Sequence, residues 1–155
     1  MIHLVLFEPR IPQNTGNISR SCVLTGAKLH LIEPLGFSLA ESHLKRSGLD
    51  YWPHLLLEVH PSLNDFLSAY VNESIYLVTS KAEKSFWEEQ YPEDVFFLFG
   101  REDSGVPMSI HERFIDHRIK IPMPGAMNDR SLNLSNSASI VLYEALRQRI
   151  GNRER

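Results

Sequence analysis

An amide and an arginine follow the first apolar segment of the sequence, at Asn14 and Arg20. An amide side chain both donates and accepts hydrogen bonds, and a guanidinium can hold an anion or polarise an oxygen. The two positions are six apart, so only a loop that folds Asn14 back over the first helical turn would bring them together. The alternative is structural: Asn14 or Thr15 caps a helix and Arg20 forms a surface ion pair. This segment alone leaves both interpretations open.

Two glycines flank a carboxylate after a run of five apolar residues at 95–99. Gly100 and Gly105 would let the backbone approach a ligand or adopt a positive φ, and Glu102 could accept hydrogen bonds from amines or hydroxyls. The segment lacks the Gly-Lys-Ser/Thr ending of a triphosphate site, and no dinucleotide-binding glycine pattern follows the first strand, so a dehydrogenase is disfavoured. A tight turn that needs glycine is the alternative.

A third segment, residues 121–136, carries more polar side chains than a simple connection needs. Four hydroxyl or amide side chains stand at the start of an apolar helical pattern, where one cap would suffice. The surplus predicts a polar pocket floor at a helix N-terminus, whose free N–H groups can also receive a ligand. These side chains are Ser131, Asn133, Ser135 and Asn136.

Apolar runs alternate with amphipathic segments along the chain, which predicts an α/β fold with a mainly parallel sheet flanked by helices. Ligands of such sheets bind beyond the carboxyl ends of the strands, so we expect the three loops to form one site. Neither a repeat nor a linker interrupts the pattern, and we expect one domain over residues 1–155. Strands are predicted at 2–7, 28–32, 55–59, 75–79, 95–99 and 118–121, and helices from 14 to Gly26, at 43–49, from 62, around 84–90, at 109–114 and from 134.

The composition limits the classes of function. The 155 residues are 43% hydrophobic and 23% charged, as in a compact globular protein, and the formal net charge of −3 argues against binding nucleic acid through global charge. Local basic groups such as Lys45 and Arg46 could still contact RNA, or could simply be solvated. No apolar run has membrane-spanning length and the first residues lack a leader pattern, so we expect a cytoplasmic protein without membrane contact.

The single cysteine and the histidines have simple expected roles. Cys22 falls on the apolar face of the first helix and is expected in the core. The spacing of the histidines does not match a metal-binding motif, and we expect no metal. The histidines considered are His3, His30, His54, His60 and His117.

Together, the three polar segments resemble the motifs of the SPOUT methyltransferases, in the same order and over nearly the whole chain. Residues 6–20, 32–37 and 46–51 are similar to one branch, the minimal TrmL subfamily, which has no separate RNA-binding domain. The matching motifs are Asn14-x5-Arg20, Phe99-Gly100-x-Glu102-x-x-Gly105-x-Pro107, Ile121-Pro122-Met123, Ser131-Leu132-Asn133-Leu134-Ser135 and Tyr143-Glu144.

The resemblance implies a deep trefoil knot in the C-terminal third, a homodimer, and S-adenosylmethionine bound between the knot loops. Connection rules alone would have rejected a knot. S-adenosylhomocysteine would be the product. The cofactor-binding residues implied are Val78, Thr79, Gly100, Glu102, Gly105, Ile121, Ser131, Leu132 and Asn133.

The implied reaction is 2′-O-methylation of the wobble pyrimidine, nucleotide 34, of tRNA, in leucine isoacceptors, through contacts with the anticodon stem-loop. Arg20 would orient the hydroxyl or neutralise developing negative charge, because an arginine is a poor base. Asn14, Glu102 and Asn133 would support the catalytic site, and Lys45 and Arg46 would join Arg20 in contacting RNA. Two alternatives remain open: a non-catalytic RNA-binding module of the same fold, and a methyltransferase acting on another RNA site, such as rRNA or a base nitrogen.

Overall fold

The computed structural model describes residues 1–39, 52–125, 127 and 131–154. Within these residues, six strands form one sheet in which every neighbouring pair is parallel. The order across the sheet is β3-β2-β1-β5-β4-β6. The strands are β1 (Ile2–Phe7), β2 (Lys28–Ile32), β3 (Leu56–His60), β4 (Ser74–Val78), β5 (Val95–Phe99) and β6 (Arg118–Ile119).

Helices cover both faces of the sheet. Where a helix was predicted around residues 84–90, the chain forms a single 3-10 turn, Phe86–Glu88, and the last strand is shorter than predicted. The helix predicted at 43–49 lies outside the described residues. The helices are α1 (Pro12–Thr25), α2 (Leu63–Ala69), α3 (Met108–Arg113) and α4 (Leu134–Arg153), with a further 3-10 turn at Trp52–His54.

The central strand β5 shows why the sheet has two cores. All five of its residues are buried, and successive side chains of a strand point to opposite faces. Phe97 packs in a cluster with Ile18 of α1 and Leu142 of α4. Phe96 packs on the other face with Phe66 of α2 and Ile110 of α3. A continuous apolar run is what a strand covered by helices on both faces requires.

The first helix begins differently from the structural interpretation of the sequence. It starts at Pro12, its N-cap is Ile11, and no side chain caps it. The proposed cap by Asn14 or Thr15 is therefore wrong, because both residues already lie in the helix and are buried. The helix ends where expected, at Gly26, whose φ of 75° is left-handed.

The strand order confirms the predicted α/β class and creates a crevice. The chain runs outward from β1 to β3, then crosses to β4 and returns to place β5 beside β1. At such a reversal the loops leaving adjacent strands diverge, and a ligand can bind between them at the carboxyl ends. The knot stays a prediction. Among helices within the described ranges, none combines the length and apolar character that a bilayer crossing requires.

Candidate active site

A cavity of about 440 Å³ opens at the carboxyl ends of β4 and β5. It lies where the strand order predicts a binding crevice, and segments distant in sequence form its walls. The size and the mixture of apolar side chains with backbone and hydroxyl groups suit a small molecule that has both polar and apolar parts. The lining residues are Ile11, Asn14, Val78, Thr79, Ser80, Lys81, Phe99, Gly100, Arg101, Glu102, Asp103, Ser104, Gly105, His111, Ile121, Met123, Ser131, Leu132, Asn133, Leu134 and Ser137.

The glycine segment after β5 is a tight turn that also forms one wall of the cavity. Arg101 and Gly105 exchange two backbone hydrogen bonds, both 3.0 Å long. A Cβ atom at Gly100 would lie 2.6 Å from the backbone of Gly105, and Gly105 has a φ of +68°. Both glycines are therefore needed for the turn, and both line the cavity. The two interpretations offered by the sequence are compatible.

Glu102 joins this turn to the loop before α1. One carboxylate oxygen accepts a hydrogen bond of 2.8 Å from the backbone N–H of Arg10, and the other accepts one of 3.2 Å from Ile11. The amide of Asn14 donates to the second oxygen at 3.5 Å. Hydrogen bonds from N–H groups to a carboxylate are among the stronger ones in proteins. Glu102 therefore fixes the first loop against the second.

Asn133 joins the third loop to the first. Its side-chain N–H donates to the Asn14 oxygen at 3.1 Å. Its own oxygen accepts from the backbone N–H groups of Ser135 at 2.9 Å and Asn136 at 3.3 Å, and so caps α4. One side chain thus serves as a helix cap and as a contact between loops, while Ser131 lines the cavity.

A cluster of charged side chains lies at the start of the first loop. Arg101 donates to Asp103 at 3.0 Å and to Glu8 at 3.3 Å. The hydrogen bond from Arg101 lowers the pKa of the Asp103 carboxyl. Glu8 has a φ of 45°, a left-handed conformation that is costly for a residue other than glycine. Such strained residues concentrate near functional sites, and this one directly follows β1 at the start of the first loop.

Several polar residues of the cavity wall were not among the predicted site residues, and Lys81 and His111 are two of them. His111 is buried, and burial lowers the pKa of its imidazole. A guanidinium nitrogen of Arg118 lies 3.5 Å from its Nδ1 atom. His111 lies in α3, directly after the glycine turn. Its closeness to that turn in the sequence was the one feature that could have indicated a place in the cavity wall.

The structure brings most of the predicted site residues together. All nine predicted cofactor-binding residues line the cavity, as does Asn14, although their roles stay predictions. Arg20 is not among the lining residues; it lies in the second half of α1 and is exposed. Lys45 and Arg46 lie outside the described residues. Within one chain, Arg20 therefore lies outside the wall of the cavity.

Comparison with known proteins gives consistent similarities. Residues 1–143 match the model of the SpoU rRNA Methylase family. The tRNA (cytidine(34)-2'-O)-methyltransferase of Methylovorus glucosotrophus is 44% identical over 149 residues, which is 96% of each chain.

Solved structures agree with these sequence matches. One described as "Structural insights into the 2-OH methylation of C/U34 on tRNA" has a TM-score of 0.92 and 45% identity, and covers 97% of each chain. The SpoU methyltransferase AviRb from Streptomyces viridochromogenes, solved in complex with the cofactor AdoMet, is 26% identical with a TM-score of 0.81. That match covers 96% of this chain and 57% of AviRb.

Proposed function

This chain belongs to the SpoU rRNA methylase family, and from that premise we propose that it methylates the ribose 2′-hydroxyl of nucleotide 34, a cytidine or uridine, in tRNA. S-adenosylmethionine is the proposed methyl donor. Full-length similarity to a tRNA (cytidine(34)-2'-O)-methyltransferase and to the structure concerned with C/U34 supports the acceptor. The AdoMet complex of AviRb supports the donor.

The cavity between the three loops is the observation that carries the proposal. Its walls combine the backbone of Gly100 and Gly105 with the polar side chains of Ser131 and Asn133. Backbone groups and hydroxyls can bind the polar parts of an adenosyl ligand, while Val78 and other apolar side chains pack against its ring. The residues present therefore fit S-adenosylmethionine.

The reaction needs alignment more than acid or base strength. The bound donor supplies an electrophilic methyl group on a sulfonium sulfur. With the donor held by the residues that line the cavity, the ribose oxygen would take the methyl carbon as the carbon–sulfur bond breaks with its electron pair on sulfur, and the hydroxyl proton would pass to water or a phosphate. S-adenosylhomocysteine is the product. Holding the reacting atoms in line can supply a large share of the rate enhancement.

Arg20 is the proposed residue for orienting the acceptor. A guanidinium can donate hydrogen bonds to the hydroxyl and neutralise the charge that develops on oxygen. Its exposed position on α1 suits contact with RNA better than contact with a ligand inside the cavity. Asn14, Glu102 and Asn133 support the site by holding the loops in place.

The proposed assembly is a homodimer that binds the anticodon stem-loop. Ile140, Tyr143 and Ile150 recur on one side of α4 at helical spacing and are 38%, 50% and 48% exposed. A second copy could cover this apolar surface. It would also combine the basic groups of two chains, each of which is acidic overall. With tRNA as substrate, we also propose a cytoplasmic location.

Mass spectrometry of ribonucleosides from tRNA incubated with the protein and labelled S-adenosylmethionine tests the reaction. We expect label in a 2′-O-methylated pyrimidine nucleoside that maps to position 34. A tRNA with a 2′-deoxy nucleotide at position 34 should accept no methyl group there. Continued methylation of that nucleotide would show that a base atom is the acceptor. Absence of S-adenosylmethionine binding in a titration would favour the non-catalytic RNA-binding alternative.

A further inference from the structure

Two histidines and a glutamate meet on the face of the sheet opposite α1 and α4. His30 of β2 is in register with Glu58 of β3, and His60 follows Glu58 by two residues, so all three side chains share one face. His30 Nδ1 lies 3.0 Å from His60 Nε2. Glu58 Oε2 lies 3.7 Å from His30 Nδ1, and the other carboxylate oxygen, Oε1, lies 3.8 Å from His60 Nε2.

These distances resemble those between the ligands of a tetrahedral metal site. Zinc–nitrogen bonds of about 2.0 to 2.1 Å in tetrahedral geometry separate ligand atoms by roughly 3.3 Å. The 3.0 Å between the two nitrogens and the 3.8 Å between Glu58 Oε1 and His60 Nε2 bracket that value, so modest side-chain movements would bring one carboxylate oxygen and both nitrogens into this geometry. Two imidazoles and a carboxylate are a ligand set that zinc uses when it keeps one open position.

The groups around the cluster can hold the ligands in place. His3 Nδ1 lies 2.8 Å from His30 Nε2 and can accept its proton, which leaves the lone pair of His30 Nδ1 directed into the cluster. Lys28 and Tyr70 both donate to Oε2 of Glu58, at 2.8 Å and 2.5 Å. The other oxygen, Oε1, is therefore left to bind the ion. Hydrogen-bonded partners of this kind orient metal ligands.

His30 and His60 are both buried, and a neutral imidazole is the form that binds metals. The ring of Phe66 in α2 packs edge-on against both histidines, at centroid distances of 5.7 Å and 5.1 Å. Glu58 is partly exposed and gives an ion access from solvent.

We propose that His30, Glu58 and His60 bind one divalent transition-metal ion of the zinc type, which ties β2 to β3. The spacing of the histidines in the sequence led us to expect no metal. The proposal differs from that expectation because the three ligands come from two neighbouring strands, which sequence spacing does not reveal. The site is distinct from the proposed active site, since none of the three residues lines the cofactor cavity. It does not depend on the proposed function.

Binding of an ion would change where the imidazole protons lie. Without an ion, the short contact between His30 and His60 needs a proton between the two nitrogens. With an ion, His30 carries its proton on Nε2 and donates it to His3, and both facing nitrogens become ligands. The change moves protons within neutral imidazoles and releases none.

The proposal is tested by titrating the tag-free, metal-stripped protein with zinc(II) alone and measuring the heat of binding by calorimetry. We expect saturable binding of one ion per chain and a rise in the melting temperature. Cobalt(II) should give the intense ligand-field absorption of a four-coordinate site. The conservative variants Glu58→Gln and His60→Gln should each weaken zinc binding by about tenfold or more. His117→Gln, which changes an exposed histidine elsewhere, should bind like the parent protein.

Glu58→Gln should disturb folding less than His60→Gln, because the Glu58 side chain is partly exposed. Far-ultraviolet circular dichroism checks that each variant is folded. Absence of saturable zinc binding by the parent protein would overturn the proposal. So would unchanged affinity in folded Glu58→Gln, because the ion would then bind elsewhere. Methyl transfer is measured separately, so a failure of the metal site and a failure of the proposed function give different results.

Discussion

The side chain of Asn133 donates a 3.1 Å hydrogen bond to the side chain of Asn14, across 119 residues of sequence. Through Asn14, in the first turn of α1, this contact continues to Glu102, so the start of α1, the glycine turn and the segment before α4 share one chain of hydrogen bonds beside the cavity. Such a chain can hold the cavity in its binding shape before a ligand arrives, which lowers the cost of ordering on binding.

Asn133→Asp should separate the two tasks of this side chain. An aspartate keeps the oxygen that caps α4 but loses the N–H donated to Asn14 and places a carboxylate against its oxygen. We expect nearly unchanged thermal stability and S-adenosylmethionine binding weakened by roughly tenfold, equivalent to about 1.4 kcal/mol. Asn133→Ala should also lose about 1 kcal/mol of stability with the cap. Unchanged affinity in Asn133→Asp would show that the contact does not order the cavity.

The two glycines of the turn should respond differently to alanine. In Gly100→Ala the new Cβ atom would meet the Gly105 backbone at 2.6 Å, so the turn must open. In Gly105→Ala the new atom has no neighbour within 4 Å, and only the left-handed φ is strained, at a cost of about 1 kcal/mol. Calorimetry should show a greater loss of cofactor affinity in Gly100→Ala. Equal affinities in both folded variants would contradict this account of the turn.

Arg20→Ala should abolish methyl transfer while leaving cofactor affinity within a few-fold, because Arg20 does not line the cavity. Arg20→Lys should not restore activity, since an ammonium cannot reproduce the planar guanidinium. Arg113→Ala removes an exposed arginine on another helix and serves as the control. Single-turnover methylation assays and a cofactor titration distinguish these effects. An Arg20→Ala protein with normal transfer rates would remove Arg20 from the mechanism.

Tyr143→Arg should convert the proposed dimer into a monomer. The substitution places a charge in the middle of the exposed apolar side of α4, where burial against a second copy would be costly. Ile115→Arg, at a 56% exposed position following α3, should leave the assembly unchanged. Sedimentation velocity at micromolar concentration gives both results. A parent protein that sediments as a monomer would refute the proposed homodimer.

Cys22 should be inert in the native protein. The side chain is fully buried, and burial raises the pKa of the thiol to about 12, so almost no thiolate forms at pH 8. A disulfide reagent should label no thiol in the folded protein and one in denaturant. Rapid labelling without denaturant would mean that α1 separates readily from the sheet, since Cys22 packs in the cluster beneath that helix.

Periodicity predicted most of the fold because its strands are buried on both faces. The run Val95–Phe99 is apolar throughout, and a strand covered by helices on both sides is what that pattern indicates. The start of α1 was wrong because Pro12 can occupy the first turn without a capping side chain. The short 3-10 turn at Phe86–Glu88 has too few residues for a helical period to distinguish it from a helix.

The candidate site was predictable as a set of loops but not as a set of contacts. Gly100, Ser131 and Asn133 stood out because each follows a strand or precedes a helix where a simple connection would not need it. The bond from Asn133 to Asn14 depends on tertiary packing that spacing does not reveal. The cluster around His30 was missed for the same reason, although Glu58 and His60 at positions i and i+2 of an apolar strand were a local signal.

The place of β5 between β1 and β4 determines the order in which strand pairs can form while the chain is synthesised on the ribosome. β1 is made first, yet its second partner consists of residues 95–99, and the partners of β4 among the described residues are β5 and β6, which are both made after it. Synthesis of the intervening chain takes roughly 5 to 20 seconds. Until residues 95–99 are made, one edge of β1 lacks a partner strand, and from the completion of β4 onward both edges of β4 lack one as well; unpaired apolar edges promote association between chains. The growing polypeptide therefore passes through a defined period in which chaperone binding competes with aggregation.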